Sequence, residues 1–377
     1  MTDTKTEPPG DGRVAGKDPS LKVLSAEPLV LETPIELLAG QRVVPTDRLF
    51  VRNIRDLPGA RDLQPRPAAG WEVELTGLIA PGRVIVRGED LAGMAQVEHE
   101  MVLQCSGNGR TRFGAIPGTP WTQGGVANVR FGGVPLSAVL ERHGVALRPG
   151  ARYVTAVGQE PDRGQARPIE HSLPIADVLD RSLLALELNG EPLPAIHGGP
   201  VRLVTPGLFG TMQIKWLTRL RFEAEESTSY YHATEYRVPL QPAAPGEPFE
   251  FTLENSRPTW RLKLLSAILA PAPGTSVAAG HVSVSGVAYN DGSTRVDSML
   301  ISADHGATWI PAMLEVPDSP FAWYPWTVAL DLAPGTHEIW SRAVDDRGQT
   351  QPLDGKVAWN PNGYEWAGVG RTTLTVR

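Results

Sequence analysis

The sequence predicts an α+β domain followed by an all-β antiparallel sandwich. Strand-like and helix-like periods are mixed up to about residue 240, and a Pro-rich stretch, VPLQPAAPGEPFEF, follows at 238–251. Beyond it the helical period disappears and short alternating runs recur between turn signals. With 377 residues the chain is long for one core, so the expected division is an N-terminal arm over 1–45, partly disordered, a first domain over 46–245, and a sandwich over 246–377.

The arm starts MTDTKTEPPGDGRVAGKDPS, which has turn formers, no apolar core and no twin arginine. It reads as disordered, and the expected location is cytoplasmic, or periplasmic if an export leader has been removed. In the first domain WEVELTG alternates at period two, and HEMVLQC, ARYVTAV, PVRLVTP and TRLRFEAE are further strand candidates. VPLSAVLERHG carries Leu136, Val139 and Leu140 at helical spacing and stops at Gly144, while PIADVLDRSLLAL opens a second helix at Pro174. Asn189-Gly190 is a hairpin turn signal. In the second domain HVSVSGVAYN, RVDSMLISAD, PWTVALDL, HEIWSRAVDD and RTTLTVR read as sandwich strands.

Composition narrows function. Charged residues are 20 % and hydrophobic ones 41 %, as in ordinary globular proteins, and no apolar run reaches the length of a membrane span. Net charge is −7 with no basic stripe, so a nucleic-acid partner is not expected and any cationic site must be local. The single cysteine, Cys105, excludes an internal disulfide, a CxxCH haem attachment and a CxxC zinc knuckle.

Cys105 ends an apolar run and opens onto Ser106-Gly-Asn-Gly, with Arg110 and Arg112 close behind. A lone cysteine is commonly inert core. Small residues after a strand instead place a sulfur at a loop mouth, and nearby arginines favour the thiolate, the form that attacks carbon or binds metal. A cysteine hydrolase needs a histidine base; His99, His143, His171 and His197 are available, none in a recognisable signature. A soft thiolate also suits a metal whose other ligands come from a cofactor.

LQCSGN with Cys105, then Trp121, Arg130-Phe131-Gly132-Gly133, NGEPLPAIHGGPVRLVTPG, IKWL and EES, occur in an order that closely resembles the sulfite oxidase family of molybdenum enzymes. The resemblance runs from FVRN at 50 through ADHGATW and RAVDD to WNPNGYEWAGVGR. It implies a mixed α/β molybdopterin-binding domain followed by an immunoglobulin-like dimerisation domain, and hence a homodimer. It implies Cys105 as the protein ligand to molybdenum, the other sulfurs coming from molybdopterin, and no haem domain. Arg52, Asn53, Ser106, His197, Arg202 and Lys215 would hold the cofactor, while Arg52, Arg110, Trp121 and His171 would form the substrate side. The implied activity is oxidation of sulfite, a small anion, to sulfate by oxo transfer, with electrons passed to an external acceptor such as a cytochrome.

Three positions depart from the pattern. Ile54 replaces a histidine, Ile169-Glu170-His171 stands where a tyrosine is expected, and Tyr324 occupies the position of a third arginine. Each hydrogen bond to a charged group is worth roughly 1.5–3 kcal/mol, so these departures predict weaker oxyanion binding. They leave open a sulfane dehydrogenase type acting on carrier-bound sulfur, another small oxo-transfer substrate, or a scaffold with a decayed metal site.

Overall fold

In the computed structural model, which describes residues 12–55, 61–159, 167, 169–353 and 357–377, the alternating runs of the first domain build two five-stranded sheets. One has the order Glu170–Pro174, Tyr153–Gly158, Leu217–Glu223, Glu72–Gly77 and Arg83–Arg87. Its pairings are antiparallel except that of Leu217–Glu223 with Glu72–Gly77. Val73, Leu75, Val154, Ala156, Leu220 and Phe222 alternate inward and are fully buried, which is what fixes the register. The other sheet has the order Glu191–Pro192, Leu183–Leu188, Val126–Pro135 and Val97–Gln104, with Arg202–Val204 also paired to Leu183–Leu188. Asn189 and Gly190 close its tight hairpin with φ of 56° and 80°, the positive angles that Asn-Gly tolerates.

Helices Leu136–Arg142 and Ile175–Arg181 follow Pro135 and Pro174. The second is shorter than the spacing of PIADVLDRSLLAL predicts. Ser182 turns extended, and Leu183, Leu184 and Ala185 are buried between two partner strands, so sheet pairing outweighs helical periodicity there.

The arm also differs from expectation. Residues 1–11 lie outside the described residues, but from residue 12 the chain is built into the first domain. Lys22–Ser25 and Val30–Glu32 form a three-stranded sheet with Val51–Arg52. Leu29, Val30, Leu31, Leu38 and Val44 are buried, and one short apolar run followed by isolated anchors leaves no periodic trace in the sequence.

The second domain contains the five expected strands and adds Leu265–Ala270, Ser276–Val277 and Ile310–Leu314. An eight-stranded path wraps on itself around Val284, Met299, Ile301, Trp326, Ile339 and Leu374, and Ser266 Oγ donates to the Ser341 carbonyl at 3.0 Å across it. The segment between Gly335–Asp345 and the last strand, Gly370–Val376, leaves the sandwich and folds back on the first domain. The Glu365 amide donates to the Ser106 carbonyl at 3.0 Å, and Glu365 pairs with Arg257 at 2.7 Å. This return places Tyr364 and Trp366 beside the loop that follows Cys105.

Candidate active site

Strand Val97–Gln104 delivers Cys105 to the wall of a cleft. A tight turn holds it there: the Cys105 amide donates to the Gly125 carbonyl at 2.8 Å, and the Asn108 amide to the Cys105 carbonyl at 2.9 Å. Gly109 completes the turn at φ 83°, and a Cβ there would come within 2.8 Å of the Trp366 ring, so glycine is required by both angle and space. Burial pushes the Cys105 thiol up, and Arg52 and Arg110 only partly offset it. The thiolate expected from Arg110 and Arg112 is therefore not the resting form, because desolvation wins in a buried site. A metal ion would displace that proton.

The inner end of the cleft is cationic. Arg202 Nε donates to the Gln213 carbonyl at 3.1 Å and Arg202 Nη1 to the His197 carbonyl at 2.9 Å. Lys215 Nζ donates to Asn53 Oδ1 at 2.9 Å and to the Ile196 carbonyl at 2.8 Å. Burial lowers Arg202 to about 9 and Lys215 well below its ordinary value, with repulsion from Arg202, Lys17 and Arg52 adding to the latter. His197 is held neutral first by burial and then by Lys17, Lys215 and Arg202. Charges buried at this cost call for an anion. Ser106 Oγ and Gln159 Oε1, both on the cleft, are buried without hydrogen-bond partners among the described residues, so the wall also offers polar atoms to a ligand. A phosphate-bearing polar cofactor fits this donor set.

The mouth has different company. Arg52 Nη2 reaches Tyr236 Oη at 3.4 Å, its Nη1 donates to the Asn53 carbonyl, and Ile54 and Ile169 line the same opening. Tyr236 is buried, stacks on Tyr364 with ring centroids 5.5 Å apart, and its phenol is pushed up by burial despite Arg52.

Arg52, Asn53, Cys105, Ser106, His197, Arg202 and Lys215 all line the cleft. Arg110, Trp121 and His171 do not. Arg110 spends its guanidinium on the Asn362 carbonyl at 3.0 Å and the Thr119 carbonyl at 2.9 Å, and lies over the Tyr364 ring. It clamps this inter-strand segment to the Cys105 loop. Trp121 is fully buried and meets cleft-lining Phe50 edge to face at 5.8 Å. His171 belongs to a buried strand, with Nε2 3.2 Å from cleft-lining Thr211 Oγ1 and its ring edge-on to Tyr236 at 5.2 Å. Burial, then His232, keeps it neutral.

Two departures read from the sequence are revised. A tyrosine does stand beside Arg52, but it is Tyr236, which the sequence reading missed because it follows a π-helical turn, Tyr231–Glu235, with no periodic signal. Tyr324 is a core residue of the sandwich, so it does not mark a position on the cleft. Tyr364, in the segment before the last strand, comes close instead, stacked on cleft-lining Tyr236.

Residues 61–231 match the model of the oxidoreductase molybdopterin binding domain, and residues 256–366 that of the Mo-co oxidoreductase dimerisation domain. With a single thiol facing a buried cationic cleft, these matches define the class: a molybdopterin-binding oxidoreductase fold carrying its own dimerisation module. Mitochondrial sulfite oxidase of Rattus norvegicus is 32 % identical over 295 residues, which is 76 % of this chain and 52 % of that protein. The chain thus spans about half the length of that relative. Sulfite oxidase of Gallus gallus is 30 % identical over 359 residues, covering 92 % of this chain and 76 % of that one. The chain belongs to the sulfite oxidase family. Among solved structures, the sulfane dehydrogenase SoxCD of Paracoccus pantotrophus superposes with a TM-score of 0.78 at 25 % identity, covering 96 % of this chain and 90 % of that chain.

Proposed function

We propose that this chain oxidises sulfite to sulfate at a molybdenum cofactor and passes the electrons to an external acceptor such as a cytochrome. The observation that carries the reading is the placement of Cys105 between a cationic inner end and an Arg52–Tyr236 mouth in one cleft. When bound, molybdenum on its pterin supplies two-electron redox and oxygen-transfer chemistry. Cys105 would hold the metal; Arg202 and Lys215 would hold the cofactor's phosphate by charge-assisted hydrogen bonds. Arg52 attracts the anionic substrate into a site where burial strengthens its field. Its guanidinium also orients the Tyr236 hydroxyl, which can hold or release a proton at the mouth. Conversion of sulfite and water to sulfate releases protons and an electron pair, so the site needs such a handler. Family membership and the match over residues 256–366 support a homodimer joined through the second domain.

A second reading has a specific basis: the mouth carries Ile54 and Ile169, and SoxCD shares the fold over nearly the whole chain. An apolar rim suits sulfur presented on a carrier's cysteine. Steady-state turnover of cofactor-loaded protein with an artificial acceptor separates the two. Turnover on sulfite supports the first reading; turnover confined to a persulfidated cysteine peptide would replace it with the second.

A further inference from the structure

Lys17 lies outside both matched regions, on the segment that leads into the first sheet. Its side chain is nevertheless buried, and it points inward to the cofactor end of the cleft. Lys17 Nζ lies 2.5 Å from the Thr46 carbonyl, 2.7 Å from the Leu49 carbonyl and 2.9 Å from His197 Nε2. An ammonium has three donors, and these are three acceptors. Nζ can donate to Nε2 of His197 only when that nitrogen carries no proton, which puts the ring proton on Nδ1. The Thr46 carbonyl also faces this ring.

We propose that Lys17 is a positioning residue of the cofactor cleft: it fixes the tautomer and orientation of His197 and adds a positive charge behind the cations that hold the cofactor. The proposal rests on the molybdopterin reading of the cleft. Among the described residues, none of Lys17, Arg202 and Lys215 has a carboxylate within ion-pairing distance; Asp47 acts on Lys17 only through space. A solvated lysine would cost the fold nothing, whereas here burial lowers it to about 7. An anionic cofactor offsets that cost, and a structural latch for the segment would need no cation. Residues behind the direct ligands of metal sites typically change affinity about 10–100-fold when removed.

The test uses the full chain. In cofactor-free protein with 15N-labelled histidine, the His197 resonances should report an unprotonated Nε2, and Lys17→Met should change that signature. Wild-type protein showing a protonated Nε2 would overturn the proposal without any variant. After loading, molybdopterin release on dialysis, followed by the fluorescence of its oxidised form, should be about tenfold faster in Lys17→Met. Lys17→Gln, which keeps a donor but no charge, should retain the His197 signature and lose cofactor at an intermediate rate. Equal retention by wild type and Lys17→Met, with unchanged histidine resonances, would overturn the proposal alone. If the wild-type chain takes up no molybdopterin, the cofactor reading itself falls and the proposal with it.

Discussion

The inner end and the mouth of one cleft are built from opposite materials. At the inner end Lys17 and Arg202 are buried with His197 among backbone carbonyls and Lys215 is half-buried beside them, a costly arrangement that an anion offsets. At the mouth a single arginine works beside Tyr236, Ile54 and Ile169, and the thiol of Cys105 is kept protonated by burial. The inner end is thus built for retention and the mouth for selection. Substitutions in the two should divide cleanly between cofactor content and substrate kinetics.

Cys105→Ser is the largest expected effect, since a hydroxyl replaces a soft thiolate poorly: turnover should fall more than about a hundredfold while the fold, read by circular dichroism, persists. Arg202→Met comes next and should act through content. Losing charge-assisted hydrogen bonds of about 1.5–3 kcal/mol each predicts cofactor loss of at least about tenfold, with near-normal turnover per bound molybdenum. Tyr236→Phe reverses the split: full cofactor content, with kcat/KM about tenfold lower and its pH profile altered. If Arg202→Met and Tyr236→Phe move the same parameter, the division of the cleft is wrong.

Trp121→Ala should lower stability by about 3–5 kcal/mol in denaturant titration, because Trp121 is wall rather than substrate contact. The smallest effect is in pH. His171 is neutral when folded, so below about pH 6.5 the unfolded chain takes up a proton that the folded chain refuses. Its contribution to stability is present above that pH and is lost as pH falls, with a slope of up to roughly 1.4 kcal/mol per pH unit. His171→Gln should flatten that part of the acid limb.

Much of this was legible in the sequence because it is local. Cys105 at a strand end before small residues, and the sandwich strands between turn signals, depend on neighbours a few positions away. Tyr236 and Lys17 were not legible. Each comes from a segment distant in sequence, Tyr236 from between a π-helical turn and the short strand Arg237–Pro239 and Lys17 from a stretch that reads as a disordered arm. Arg110 was named for its charge, yet its role is set by the Asn362 carbonyl, 252 positions away. Residue type marks which side chains can do chemistry; the fold decides which of them face the ligand.

The central claim is that Cys105 holds molybdenum in this cleft. X-ray absorption at the molybdenum edge, on cofactor-loaded wild type and on Cys105→Ser loaded to the same metal content, tests it directly. The account predicts one fewer sulfur neighbour around molybdenum in the serine protein. The same sulfur count in both would contradict it and put the metal somewhere other than on Cys105.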